Sequence, residues 1–201
     1  TRRPFRSPHH TASAAALAGG GAYPKPGEIS LAHNGVLFLD ELPEFQRDAL
    51  EVLRQPIEDG VVTITRAAGS IQLPSRFMLV CAMNPCRCGW RGHPTKRCTC
   101  TDQMVEKYVS RISGPLLDRM DLHVQVPSVE FDAMRRRESP EPSAVIRRRV
   151  NAARELQSKR YAGTEVSCNA QMTPSMVGLY CQLDDRGERL LRGAFDRMGL
   201  T

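Results

Sequence analysis

The chain has 201 residues, of which 41% are hydrophobic and 25% charged, and its formal net charge is +6. This composition indicates a soluble globular protein of one domain, or of one domain with a small appendage. No apolar run approaches the roughly 18–20 residues that span a membrane. No apolar segment follows the basic start, residues 1–6, so we expect a cytoplasmic protein without a membrane partner.

The positive charges and the cysteines are both clustered. Arginine triplets occupy residues 135–137 and 147–149. A basic balance permits an anionic partner such as nucleic acid or nucleotide, although charge runs alone are more typical of a solvated helix face or a polar linker. The cysteines number seven, which argues against a disulfide framework, and four of them lie within residues 86–100.

The first stretch, residues 3–26, has few strand signals. A brief helix is predicted over residues 12–17, ended by the glycines at 19–21, and we expect an ordered loop or insertion rather than a core element. Residues 35–41 then form a continuous apolar run that ends in two acids. Such a run predicts a strand buried on both faces.

Helix and strand signals alternate beyond this run. Pro43 opens a predicted helix, and residues 61–73 predict a β-hairpin with Arg66 near its tip. Residues 77–83 predict a second buried strand, and residues 122–126 a third short strand. Buried strands separated by helices indicate an α/β fold with a largely parallel sheet.

The chain changes character after Pro127. A proline-rich, linker-like break at residues 138–142 precedes a helix that we expect Ser143 to cap. A second helix is predicted from Thr173 and Pro174, and a third from Asp184. We therefore divide the chain into an α/β core, residues 1–130, and a small helical domain, residues 131–201.

The first chemical constellation is the pair Asp40 and Glu41 at the end of the first apolar strand. An NTPase needs one carboxylate at a strand end to hold Mg²⁺ and a neighbouring one to activate water. Adjacent residues of a strand point to opposite sides, so the two acids can divide these roles. Two surface acids at a strand end are the plain alternative, because such ends are common.

Two further polar residues follow predicted elements. Asn84 ends the second strand, where its amide can orient the attacking water and sense the γ-phosphate; the alternative is an Asn favoured by the turn before Pro85. Arg119 is a candidate for a functional cation. Its plain alternative is local pairing with Asp118 or Asp121.

Two Cys-x-Cys pairs flank a glycine-containing loop, and their members are Cys86, Cys88, Cys98 and Cys100. Four thiolates suit a tetrahedral zinc ion, although this spacing is tighter than that of the usual zinc knuckle. His93 is a possible substitute ligand, and free thiols or disulfides are the alternatives. We favour structural Zn²⁺.

The order of these motifs along the chain resembles that of a known group of ATPases. Residues 26–42, then Cys81–Pro85 and Leu116–Arg119, resemble the AAA+ branch that holds the chelatase ATPase subunits and the minichromosome-maintenance helicases. Residues 3–11 (RPFRSPHHT) and 84–89 (NPCRCG) are more narrowly similar to the ComM (YifB) family of magnesium-chelatase-like AAA+ ATPases. The similarity covers nearly the whole chain.

The resemblance implies a fold. This is the α/β fold of AAA+ P-loop NTPases, present here in part. It has a parallel sheet with helices on both faces, a β-hairpin insertion, and a small C-terminal helical lid domain. It places the later part of the ATPase core in residues 1–130, with a cysteine-rich loop at 86–100, and a truncated lid in residues 131–201.

The resemblance also implies roles. Asp40 and Glu41 match the Walker B pair, with Asp40 holding Mg²⁺ through water and Glu41 acting as general base. Asn84 matches sensor 1, and Arg119 the arginine finger that completes the neighbouring subunit's site in a ring. The hairpin matches the one that points into the ring's pore, where Arg66 suits a DNA phosphate contact.

The sequence departs from the complete family pattern in two places. No Gly-x-x-x-x-Gly-Lys-Ser/Thr motif occurs, and the family's phosphate loop lies upstream of residues 3–6. The family's sensor 2 segment is expected to follow Thr201. We therefore expect an excised fragment without ATPase activity of its own.

The resemblance implies an ATP- and Mg²⁺-dependent motor that remodels DNA by branch migration during natural transformation. The alternatives are the ATPase subunit of a metal chelatase and a non-enzymatic, zinc-stabilised module that binds nucleic acid. His9 and His10 also match the family, but the sequence gives no physical account of them.

Overall fold

The computed structural model describes residues 2–21, 24–66, 69–127 and 141–198, and a parallel sheet lies at its centre. The strands are, in chain order, β1 (Phe5–Arg6), β2 (Gly19–Gly20), β3 (Lys25–Pro26), β4 (Val36–Leu39), β5 (Val61–Arg66), β6 (Gly69–Pro74) and β7 (Met78–Cys81). The central sheet has the order β1–β4–β7, and both pairings are parallel.

The helices are short in the first part of the chain and longer in the last part. They are α1 (Ala14–Ala18), α2 (Glu28–Leu31), α3 (Arg47–Glu51), α4 (Arg54–Asp59), α5 (Asp102–Val109), α6 (Gly114–Leu117), α7 (Ser143–Arg160), α8 (Pro174–Tyr180) and α9 (Asp185–Met198). The predicted α/β fold with a parallel sheet and C-terminal helices is thereby confirmed. None of the described helices combines the length and the apolar character that a membrane crossing requires.

The two apolar runs pair as predicted, from Val36↔Met78 to Leu39↔Cys81. Their burial is one-sided, however. Leu37 and Leu39 are fully buried, whereas Phe38 is half-buried and Met78 is 62% exposed. The expectation of strands buried on both faces is therefore wrong for the described residues, because the described core packs against one face alone.

The first stretch is part of the core, contrary to the prediction of a loop or insertion. β1 pairs with β4 through Phe5↔Val36 and Arg6↔Leu37. Leu17 of α1 is fully buried in the main apolar cluster. Ser13 caps α1 by accepting the Ala16 N–H, so the predicted helix is confirmed.

The helix predicted from Pro43 is divided into three pieces. Leu42–Glu44 forms a 3-10 turn, and Phe45 and Gln46 then take extended backbone angles before α3 and α4 begin. Phe45, Ala49 and Leu53 are nevertheless buried in the main apolar cluster, and Val52 packs against it. Gly60 ends α4 with a φ of 68°, in the left-handed region.

The predicted hairpin is confirmed. β5 and β6 pair antiparallel from Val61↔Pro74 to Arg66↔Gly69. Val62 and Ile64 are buried in the main cluster, so the hairpin is anchored at its base. The backbone N–H of Asn34 donates to the Arg76 carbonyl at 2.6 Å. This bond links the segment that follows β6 to the segment that precedes β4.

The third predicted strand, residues 122–126, is not formed. Leu122, Val124 and Val126 are 86%, 80% and 86% exposed, and no described residue forms a ladder with them. Their alternation with polar residues has the period of a strand, but a strand also needs a neighbour to satisfy its backbone groups.

The chain divides into two units, Thr1–Glu130 and Phe131–Thr201. In the second unit, α8 begins as predicted, with Thr173 accepting the Met176 N–H and Pro174 in the first turn. Ser143 does not cap α7, because Pro142 holds the capping position. Arg135–Arg137 and the predicted linker up to residue 140 lie outside the described residues.

We predict that Gly35→Ala destabilises the fold by roughly 1–3 kcal/mol, the usual cost of overpacking. A Cβ at Gly35 would overlap the backbone oxygen of Pro4, which accepts the Val36 N–H in the β1–β4 contact. Urea unfolding followed by circular dichroism measures the change. Gly114→Ala is the control, because its Cβ meets open space and its expected change is within about 0.5 kcal/mol. Equal stability of the two variants would contradict this packing.

Candidate functional site

The carboxyl ends of β4 and β7 meet at one edge of the sheet. Leu39 pairs with Cys81, and the Ala82 N–H donates to the Leu39 oxygen at 2.9 Å. Asp40 follows the first of these strands directly, and Asn84 follows the second after two residues. The structure therefore brings Asp40, Glu41 and Asn84 to the same edge, and all three are exposed there.

The backbone turns sharply at the two acids. Glu41 has φ 53° and ψ 45°, a left-handed conformation that non-glycine residues seldom adopt. The Asp40 carboxylate accepts the Glu41 N–H at 2.8 Å, and the Glu41 carbonyl accepts the Glu44 N–H at 2.7 Å. Local hydrogen bonds on both sides of Glu41 hold this unfavourable backbone, an arrangement frequent at functional sites.

His10 is a member of this edge that the sequence did not identify. Its Nδ1 lies 3.0 Å from Glu41 Oε2. The His10 ring stands 4.1 Å from the ring of His9, centroid to centroid, and meets the buried ring of Phe45 edge-on. Ring contacts on two sides therefore position His10 against Glu41, which gives the histidine pair a physical role.

Tyr108 of α5 is the second residue that sequence reasoning missed. Its ring is buried, and the backbone of Asn84 is near enough to its phenolic oxygen to oppose part of the rise in its pKa. Burial raises the pKa of Tyr108, and the negative charges of Glu44, Cys86 and Glu41 add to the increase. Tyr108 thus stays protonated beside these acids and links α5 to the end of β7. No periodicity signals such a contact, because its partner is a backbone group.

The described contacts of Arg119 are with residues outside the acidic edge. Its guanidinium pairs with Glu58 of α4 and donates to the Pro115 carbonyl, and its Nε is buried without a described partner. No described contact joins Arg119 to Asp40 or Glu41. The expected local pairing with Asp118 or Asp121 is also not found among the described contacts.

Arg66 ends β5, opposite Gly69 in the last pair of the hairpin ladder. This backbone position agrees with the predicted place near the tip. The Arg66 side chain lies outside the described residues. Thr65 and Ser70, one pair nearer the core, are exposed, so this end of the hairpin stands outside the apolar cluster.

The four loop cysteines converge. The sulfur atoms of Cys86 and Cys88 are 3.4 Å apart, and that of Cys98 lies 3.7 Å and 3.5 Å from them. All four sulfurs, including that of Cys100, lie within 4.8 Å of one another. Backbone N–H groups of Trp90 and Thr99 lower the pKa of Cys88 to about 5.

His93 is not part of this cluster, contrary to its role as a possible substitute ligand. Its Nδ1 accepts the backbone N–H groups of Thr95 and Lys96 at 3.2 Å and 3.1 Å. Its ring meets the Trp90 ring edge-on, and the Lys96 ammonium stands 3.7 Å from the Trp90 ring centroid. His93 therefore organises the turn of the loop.

Two family models match nearly the whole chain. The model described as magnesium chelatase, subunit ChlI, matches residues 1–134. The model described as magnesium chelatase, subunit ChlI C-terminal, matches residues 140–201.

Relatives in three bacteria are similar to the chain. Competence protein ComM of Haemophilus influenzae is 46% identical over 202 residues, and an uncharacterized protein, YifB, of Escherichia coli is 45% identical over 202 residues. Each alignment covers 100% of this chain and 38% of the relative. The magnesium-chelatase 38 kDa subunit of Chlorobaculum parvum is 24% identical over 160 residues, 76% of this chain and 40% of the relative. The chain thus spans about two fifths of the length of these relatives.

We predict that Cys81, just before the acidic edge, resists alkylation in the native protein. Burial raises the pKa of its thiol to about 12, and the thiolate is the reactive form. At pH 8 we expect Cys81 to react at least about 10³-fold more slowly than the exposed Cys181. Iodoacetamide labelling followed by peptide mass spectrometry measures both rates. Comparable rates in folded protein would contradict the burial, and unfolding should remove the difference.

Proposed function

The chain belongs to the magnesium-chelatase-like ComM family of AAA+-type proteins, and on that premise we propose that it supplies part of an ATP-hydrolysing site whose turnover remodels DNA. The observation that carries the proposal is the meeting of Asp40, Glu41 and Asn84 at the carboxyl ends of two paired parallel strands. Ligands of open α/β sheets bind at that end of the strands. The 201 residues contain no Gly-x-x-x-x-Gly-Lys-Ser/Thr motif, so in this proposal a phosphate loop would come from another part of a protein of the relatives' length.

The acids suit a nucleotide with its Mg²⁺. Asp40 is exposed at the strand end, where a carboxylate would hold the ion through water, and the ion would neutralise charge on the phosphates. Glu41 would accept a proton from the attacking water. The contact with His10 keeps the Glu41 carboxylate in a defined place until a substrate is bound. Asn84, whose backbone lies beside Tyr108, would orient the water.

Arg119 would act on the site of a neighbouring subunit. Its described contacts are with Glu58 and Pro115 and not with the acids of its own chain, which suits a role in trans, and its side chain is 25% exposed. To act, the guanidinium would exchange its pair with Glu58 for a phosphate of the neighbour's nucleotide. An arginine in that role is worth on the order of 10³–10⁵ in rate. The proposal therefore includes a ring of identical subunits.

DNA is the proposed substrate of the motor. The competence protein ComM of Haemophilus influenzae is 46% identical to the chain, whereas the magnesium-chelatase 38 kDa subunit of Chlorobaculum parvum is 24% identical. The net charge of +6 and a cation at the end of the hairpin suit a phosphate backbone.

We predict that Glu41→Gln and Arg119→Ala, each made in a protein of the relatives' length, bind ATP but lose turnover by about 10³-fold or more. Mixed under conditions of subunit exchange, the two variants should recover part of the lost activity, because each completes the other's interface. Phosphate release is the measurement. The 201-residue chain alone should show no turnover above background.

Glu106→Gln is the control, because Glu106 is an exposed acid of α5 that has no described side-chain contact with Asp40, Glu41 or Asn84. It should retain full activity. Undiminished turnover in Glu41→Gln would contradict the catalytic role. Absence of recovery in exchanging mixed rings would contradict the role of Arg119 in trans.

We predict that Arg66→Ala weakens DNA binding by the longer protein and lowers the slope of log K against log[salt] by about 1, as expected for one lost phosphate contact. Fluorescence anisotropy with duplex DNA over a series of salt concentrations gives the slope. Lys107→Ala, an exposed cation of α5, should leave the slope unchanged. Binding without salt dependence, or no binding, would contradict the proposed DNA contact and favour a chelatase role.

A further inference from the structure

The loop between β7 and α5 has almost no apolar interior. Among residues 86–100, Cys86 is the buried one, and the others are half-buried or exposed. Trp90 is 37% exposed and gives the loop no buried aromatic core. A loop of this composition needs another source of order, because apolar burial does not offset the entropy of fixing its backbone.

The spacing of the four sulfur atoms matches a tetrahedral metal site. A Zn–S distance of about 2.3 Å places the sulfurs of a tetrahedron about 3.8 Å apart. The distances among Cys86, Cys88 and Cys98 are 3.4, 3.7 and 3.5 Å, and Cys100 completes a set within 4.8 Å. A disulfide would require about 2.05 Å, so the described spacing excludes the disulfide alternative.

Backbone N–H groups surround the sulfurs. Cys88 accepts from Trp90 and Thr99, and Cys86 accepts from Gly89 and Arg91. The sulfur of Cys98 faces the carbonyl oxygen of Cys100 at 4.0 Å. Hydrogen bonds to a sulfur favour its anionic form, and metal ligands are commonly oriented by such contacts. Together with the short distances between the sulfur atoms, these backbone groups make the cluster a compact set of four possible metal ligands.

The charge of the loop also suits a metal ion bound by four thiolates. Residues 86–101 contain no acid and four cations, which are Arg87, Arg91, Lys96 and Arg97. A divalent ion bound by four thiolates carries a net charge of two minus, which nearby cations stabilise. The Arg91 guanidinium also pairs with the Asp102 carboxylate at 2.9 Å. This ion pair joins the middle of the loop to the first residue of α5.

We infer that Cys86, Cys88, Cys98 and Cys100 bind one structural Zn²⁺ ion. Zinc fits better than Mg²⁺, which prefers oxygen ligands, and the closed set of four protein ligands is that of a structural rather than a catalytic zinc. The ion joins the segment that follows Asn84 to the segment that precedes α5. It therefore fixes the loop next to Asn84 and Tyr108, independently of whether the chain hydrolyses ATP.

Metal content of the 201-residue chain, purified without chelator, tests the inference. We expect one zinc per chain by elemental analysis. Cys88→Ser and Cys98→Ser should each lower the zinc content at least about tenfold, because each removes one of four ligands. The double variant C168S/C181S is the matched control, since it removes two thiols outside the cluster, and it should retain the metal.

Thiol alkylation and cobalt binding can be measured on the chain without substitutions. They test the inference even if the cysteine variants misfold. With zinc bound, the four loop cysteines should resist alkylation, and they should become reactive when a strong chelator removes the metal. Co²⁺ added to the metal-free chain should give the visible absorption of a tetrahedral cobalt–thiolate centre. Circular dichroism reports whether the rest of the fold is retained.

Two results would overturn the inference. One is a folded chain whose four loop thiols react as readily as Cys181 and that takes up neither Zn²⁺ nor Co²⁺. The other is an iron–sulfur chromophore in place of zinc, which would assign the same sulfurs to a different centre.

Discussion

The parallel pairing of β4 with β7 is the contact on which the rest of the site depends. Four successive pairs, from Val36↔Met78 to Leu39↔Cys81, fix the ends of two strands at the same height. Leu37 and Leu39 drive this pairing because they are fully buried in the main apolar cluster. A slip of one residue would turn these side chains away from the core. The pairing therefore determines where Asp40, Glu41 and Asn84 lie.

Groups outside the sheet then hold this edge in place. His10 and its ring contacts approach Glu41 from the segment after β1, and Tyr108 approaches Asn84 from α5. The cysteine loop begins two residues after Asn84 and ends at the start of α5. When this loop is ordered, it restrains the backbone next to Asn84. The acidic edge is supported by elements that precede and follow the two strands in the chain.

Local patterns in the sequence predicted the elements with clear periodicity. The apolar runs of β4 and β7, the alternation of the hairpin and the Cys-x-Cys pairs all describe features confined to a few residues. β1 escaped prediction because Phe5 and Arg6 are too short a segment to show a period. Residues 122–126 show a strand period without a ladder partner among the described residues. The contacts of His10 and Tyr108 join distant parts of the chain, so only the tertiary structure reveals them.

We propose that the nucleotide binds at the joined ends of β4 and β7. A structure of the longer protein with Mg²⁺ and a non-hydrolysable ATP analogue tests it most directly. In that structure we expect the ion on the Asp40 side of the edge, the γ-phosphate beside Asn84, and Arg119 of the neighbouring subunit at the same nucleotide. A nucleotide bound away from this edge, with Asp40 and Asn84 both facing solvent, would contradict it.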